Sequence, residues 1–269
     1  MTVDFIYNFM IDLLPGFLGN DFLLILAMLL PFFALFGFIT VYGFGVIYAE
    51  LKVSSFIQDK TGPMGQGYGF HAGKWGFLQP VADGLHLFFK EDIIPATADR
   101  PLFILAPFLI FIGMFVGIIA IPFGEAIIIS DMNIGIFYIL GVGSLAVIAL
   151  ILAGWSSNNK WALYGGMRSA AQIISYEIPA GLSLIVVILL ASSLSMQEII
   201  SYQSGGMFNW IIFDNPFMPI AFIIFFISAL AETNRTPFDL PESESELVAG
   251  FVTEYSGARY AFFFLSEYV

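Results

Sequence analysis

Apolar residues run along this chain in blocks long enough to cross a bilayer, separated by stretches where nearly all of the charge collects. A membrane span takes roughly 20 mostly apolar residues. By that measure the pattern predicts a first helix from about Phe22 to Tyr48, then helices near 101–123, 134–154, 178–194 and 216–231. Another apolar run opens near Tyr260 and reaches only Val269, too short to span, so the natural polypeptide is expected to continue. The fold class that follows is all-α. It is a polytopic integral membrane bundle of five complete spanning helices and the start of a sixth, forming a single membrane domain over 1–269. Three long connections, 50–100, 155–178 and 232–259, separate the spans.

All 9 lysines and arginines (Lys52, Lys60, Lys74, Lys90, Arg100, Lys160, Arg168, Arg235 and Arg259) fall in those three connections. An alternating topology puts the three on one side. The positive-inside rule then places them in the cytoplasm and the N-terminus outside. The first twenty residues have no basic region and no small-residue cleavage site, so the first span is expected to act as the insertion signal.

Composition agrees: 59% of residues are hydrophobic and 11% charged, too little charge to cover a soluble domain of 269 residues. With no cysteine and only His71 and His86, no thiolate-held iron–sulfur cluster and no haem or zinc site is expected, so electrons would be carried by a partner. A net charge of −12 argues against nucleic acid as a partner.

Within the first connection, the glycine run 62–69 lacks the Gly-Lys-Ser/Thr of a phosphate loop and reads as a flexible loop. Residues 78–91 (LQPVADGLHLFFKE) place Leu78, Val81, Ala82, Leu85, Phe88 and Phe89 at helical spacing, predicting a short amphipathic helix. Asp83, His86 and Lys90 share its polar face, which a solvated surface explains as well as a site does. In the second connection Arg168, Gln172 and Ser175 share a helical face, and Glu177 enters the next apolar segment just ahead of Pro179. Glu177 is either hydrated at the interface or buried and able to exchange protons, and the sequence leaves both open. In the second span, Gly113-x-x-x-Gly117 marks a candidate helix contact.

The third connection is the most unusual. After an apolar run ending on Glu232, the chain carries Asp239, Glu242, Glu244, Glu246 and Glu254, with Pro237 and Pro241 interrupting any continuous helix. Arg235 and Arg259 are the cations nearby. An inert acidic loop is one reading. The other is a proton relay, because closely spaced carboxylates make one another harder to ionise.

Residues 231–257 (AETNRTPFDLPESESELVAGFVTEYSG) resemble the signature loop of the quinone-site membrane subunit family of respiratory complex I, a family shared by bacteria and mitochondria. Segments 78–91, 153–177 and 262–268 (FFFLSEY) resemble the same family in the same order. The resemblance implies a fold of eight spanning helices, with two and most of a third absent from these residues. It implies a quinone tunnel, for ubiquinone or menaquinone, lined by Glu50, Asp83, Lys90, Arg168, Arg235 and Phe238. It also implies a proton channel formed by Glu177, Glu232, Asp239, Glu242, Glu244, Glu246 and Glu254, coupling quinone reduction to proton translocation in an NADH:quinone oxidoreductase. Iron–sulfur clusters and FMN would reside in partner subunits only, and the isolated chain would catalyse nothing. The implied partners are hydrophilic iron–sulfur and quinone-site subunits, small and antiporter-like membrane subunits, and the lipid bilayer, here that of a bacterial inner membrane.

The chain also departs from the family. Glu50-Leu51-Lys52 stands where the family reads Glu-Arg-Lys, Lys60 or Thr61 replaces an arginine before Gly-Pro, and His86 replaces a lysine. Leucine cannot imitate a guanidinium fork, so no anion-binding role is carried onto Leu51 or His86. Two rivals remain at this point: the related membrane subunit of a [NiFe] hydrogenase, and a free-standing ion or proton transporter. Transporters of that kind usually carry an internal repeat, and none is found.

Overall fold

The computed structural model describes residues 6–8, 20–64, 75–124, 128–241 and 244–267, with the backbone alone at 20, 28, 32, 244, 245 and 267. Among the described residues the regular structure is entirely helical. Where the sequence reading took 1–269 as one domain, the chain divides into two compact units, one formed by 94–254 and the other by the segments on either side.

The flanking unit is built on α1 (Asn20–Ile57), α2 (Gln79–Phe89) and α10 (Gly257–Glu267). At 38 residues, α1 runs well past the predicted end at Tyr48. Nothing in Glu50–Ile57 breaks a helix, and the stop comes where Asp59 and Gly62 take left-handed φ values of 56° and 71°. Lys52 is buried on that extension, donating to the Thr61 carbonyl at 3.1 Å. The helix predicted within 78–91 is α2, and its Gly84 faces the Phe44 ring of α1. Segment 90–93 is then tied to the start of α10. The Ile93 N–H donates to Ser256 Oγ at 3.0 Å, Arg259 pairs with Asp92 at 3.0 Å, and Gly257 leaves room for the Lys90 carbonyl.

The 94–254 unit contains α3 (Arg100–Ile118), α4 (Gly135–Ser156), α5 (Lys160–Ala191), α6 (Met196–Tyr202), α7 (Ile211–Asp214), α8 (Met218–Glu232), α9 (Glu244–Leu247) and a 3-10 turn at Gly250–Val252. Helix α3 packs on α4 and α4 on α5, and α5 also packs on α8. Gly113 and Gly117 both face Val142 of α4, so the predicted small-residue contact is made. The turn between α4 and α5 is short because Asn158 takes a left-handed φ of 48° and Asn159 caps α5, accepting from the Trp161 N–H at 2.9 Å.

Two expectations need correcting. Residues 160–178, expected as a connection, form the first half of the 32-residue α5. Their polar content hides them from a hydropathy window, yet Ala, Leu, Met, Arg and Gln are good helix formers, and Asn159 starts them cleanly. The fifth predicted span is the 15-residue α8, about 22 Å long at 1.5 Å per residue and short of a hydrocarbon core of roughly 30 Å. Among the described residues, four helices (α1, α3, α4 and α5) are long and apolar enough to cross a membrane.

Candidate functional site

Helix α5 is the spine of the site. The segment from Glu232 to Glu254 lies along it in antiparallel order, contact by contact. At the start of α5, Asn159 Nδ2 donates to Glu254 Oε1 at 2.6 Å. Two turns on, Gly165 meets the backbone of Gly250 and Phe251 so closely that a Cβ would lie 2.5 Å from the Gly250 Cα. Arg168 then pairs with Glu246 at 2.6 Å. Gln172 follows, with Nε2 within 2.8–3.0 Å of the Ala231 carbonyl, the Asn234 Oδ1 and the Phe238 carbonyl. Next, Tyr176 packs edge-on against Phe238, ring centroids 5.1 Å apart. Last comes Glu177, whose Oε1 accepts from Ser144 Oγ of α4 and whose charge acts on Glu232 at the end of α8. From Asn159 to Glu177 the rise is about 27 Å. The array therefore reaches from the polar end of α5 into its apolar half.

Chemically, the array is a ladder of carboxylates and amides alternating between α5 and the segment beside it. The Arg168–Glu246 pair is about half exposed on both sides (47% and 55%), so it contributes little to stability and its members are free to exchange partners. Gln172 is different. Its two amide hydrogens serve three acceptors and hold the loop after α8 onto α5. Gln172→Leu is expected to cost about 1–3 kcal/mol by leaving these acceptors unpaired. A lowered midpoint in thermal inactivation, with Gln172→Glu equally impaired for want of donors, would bear this out. An unchanged midpoint would show that the loop is held by other contacts.

Residues 29–269 match the family model described as NADH dehydrogenase. The H subunit of NADH-quinone oxidoreductase from Chlorobaculum tepidum is 49% identical over 263 residues, covering 96% of this chain and 70% of that protein. The proteins of the same name from Anaeromyxobacter dehalogenans and a Geobacillus species are each 52% identical. Those matches cover 82% and 88% of this chain, and 52% and 67% of the relatives. The chain belongs to the NADH dehydrogenase family. It is an integral membrane protein of that family, with several long apolar helices.

Of the residues that the family resemblance assigns to the channel, Glu177 and Glu232 face neighbouring positions of α4 at one end of the array, Ser144 and Gly143 respectively. It sets Glu246 and Glu254 against α5 further back, each with a polar partner of its own. Asp239 is exposed in the loop after Phe238. Glu242 lies outside the described residues, and Glu244 opens α9, its side chain also outside them. Glu232 was expected to be buried at a helix end. It does end α8, and although the residue as a whole is exposed in the single chain, burial of its carboxyl, with the charge of Glu177 adding to it, holds the acid above the ordinary carboxylate range.

Of the residues assigned to the tunnel, Arg168, Arg235 and Phe238 belong to the 94–254 unit, with Arg235 and Phe238 half-buried. Glu50, Asp83 and Lys90 belong to the flanking unit, all exposed, with Asp83 accepting from Gln79 Nε2 at 2.7 Å. His86 is also exposed on α2. The sequence reading missed Ser144 and Asn159 and gave Gln172 no task. The only signal for Asn159 was its place between a helix end and a helix start. For Ser144 there was none.

Proposed function

We propose that this chain is the membrane subunit of a proton-pumping NADH:quinone oxidoreductase that shapes part of the quinone tunnel and carries protonation changes away from it. The observation that carries the reading is the antiparallel carboxylate ladder along α5, in a chain about half identical to proteins named as the H subunit of NADH-quinone oxidoreductase.

Reducing a quinone to a quinol takes two electrons and two protons. This chain has no cysteine, so the electrons come from an iron–sulfur cluster of a hydrophilic partner subunit. What this chain supplies is shape and protons. For the tunnel, the family resemblance assigns Glu50, Asp83 and Lys90 of the flanking unit and Arg168, Arg235 and Phe238 of the 94–254 unit, the cations as hydrogen-bond donors to the quinone carbonyls and Phe238 as apolar surface. As the quinone takes up protons, carboxylates near it change charge. Glu246, Glu254, Asp239, Glu242 and Glu244 pass that change toward Glu177 and Glu232, and from there to antiporter-like membrane subunits. The cations that fall in connections after the first, third and fifth predicted spans put those connections on the cytoplasmic side of a bacterial inner membrane, with the N-terminus outside.

Mild-detergent purification of the native assembly, followed by mass spectrometry and quinone-reductase assay, tests this. Iron–sulfur and antiporter-like subunits with NADH:quinone activity are the expected result. A nickel-bearing large subunit in their place would move the function to hydrogenase coupling. A chain that came out alone and moved protons in vesicles would make it a transporter.

A further inference from the structure

Ser144 sits in α4, facing Glu177, the one carboxylate that α5 carries, at the start of its apolar half. Its hydroxyl oxygen lies within reach of two acceptors, the Leu140 carbonyl one turn back at 3.3 Å and Oε1 of Glu177 on α5. A serine hydroxyl has one hydrogen to donate and lone pairs to accept with. When Glu177 is ionised, that hydrogen belongs on the carboxylate. When Glu177 is protonated, its acid O–H donates to Ser144 Oγ and the serine hydrogen turns to the Leu140 carbonyl. In both arrangements the serine hydroxyl donates to an acceptor and stays bonded to Glu177, and passing between them moves no heavy atom. The neighbouring Gly143 faces Glu232, since a Cβ there would lie 3.9 Å from its Oε1. Adjacent residues of α4 thus face the two carboxylates, Gly143 facing Glu232 and Ser144 facing Glu177.

We propose that Ser144 is a positioning residue for proton exchange between Glu177 and Glu232, its hydroxyl turning between Glu177 and the Leu140 carbonyl as Glu177 loses and gains its proton. In the exchange one O–H bond breaks on Glu232 and one forms on Glu177, or the reverse, and no electrons change hands. The charged group that acts on Glu177 from α8 is Glu232; on α5 itself the nearest is Arg168, engaged with Glu246. No residue on α4 between Gly135 and Ser156 is charged, and Ser144 is the residue of this helix hydrogen-bonded to Glu177. The proposal rests on the channel reading above and assigns a residue to it.

The experiment uses the assembled complex in membrane vesicles, with Ser144→Ala, Ser144→Thr and Glu177→Gln compared. Infrared difference spectra identify the carboxylic acid band of Glu177 as the one lost in Glu177→Gln. In Ser144→Ala that band is expected to shift, and coupled turnover to slow roughly tenfold, the factor a lost hydrogen bond to a charged group carries. Ser144→Thr, which keeps the hydroxyl, is expected to restore both. A merely structural serine would leave the band in place. An unshifted band in Ser144→Ala, or a rate that alanine leaves at the wild-type value while Glu177→Gln is impaired, overturns the proposal alone. Normal pumping by Glu177→Gln would overturn the channel reading on which it rests.

Discussion

Glu232→Gln, introduced into the assembled complex, is expected to lower the number of protons pumped per electron by about tenfold or more, with electron transfer from NADH to an artificial acceptor nearly unchanged. Removing a group that passes protons commonly costs on the order of 10²–10⁴ in rate, and leakage around the block sets the lower figure. Glutamine has the size and shape of the glutamate it replaces but cannot take up and release a proton near neutral pH. The packing of α8 is therefore kept and the relay is not. The position argues for the effect. Glu232 ends α8 beside Gly143, within the electrostatic reach of Glu177, and Gly143 has no side chain to come between the carboxylate and α4. Glu232→Asp, which keeps the acid one methylene shorter, should retain part of the pumping. A wild-type proton-to-electron ratio in Glu232→Gln would remove this residue from the relay.

The second large effect is steric. Gly165→Val puts a branched side chain where a Cβ alone would lie 2.5 Å from the Gly250 Cα and 2.6 Å from the Phe251 nitrogen. Those are backbone atoms, and they cannot rotate aside. Overpacking a tight contact costs about 1–3 kcal/mol and occasionally more. Here the loss is expected at the upper end, because Gly250 itself holds a left-handed φ of 58° that restricts how the turn can move. The segment carrying Glu246 and Glu254 would lift from α5, so the yield of assembled complex on native gels should fall several-fold. Quinone reductase activity and pumping should fall together, unlike the separation expected for Glu232→Gln. Assembly at wild-type yield with an unchanged thermal midpoint would mean the close approach is not needed.

Much of this was legible from the chain. Long apolar blocks can only be membrane helices, because an unpaired backbone in hydrocarbon is too costly, and α1, α3 and α4 begin or centre where hydropathy put them. The amphipathic α2 was legible from periodicity within one residue at its start. The first half of α5 was legible as a helical face through Arg168, Gln172 and Ser175 but not as one helix with the span that follows, because a span-sized window weighs polarity and is blind to helix propensity. Polar residues such as Arg168 and Gln172 therefore read as a connection. The sequence also named most of the carboxylates, since their density between apolar blocks demanded an explanation.

Which groups those carboxylates meet was decided by the tertiary structure. Ser144 and Glu177 are 33 residues apart, Gln172 and Ala231 59, and Asn159 and Glu254 95. No local periodicity relates positions so distant, and a serine in an apolar helix looks the same whether it faces lipid, its own carbonyl or a carboxylate. The pairings exist because Gly165, lacking a side chain, lets the backbone at Gly250 close on α5 and bring the acidic segment alongside. The sequence by itself determined a membrane-embedded chain of this family with an acid-rich segment. Only the packing of that segment on α5 decided that its acids form an ordered ladder, because contact order is set by how close two backbones can come.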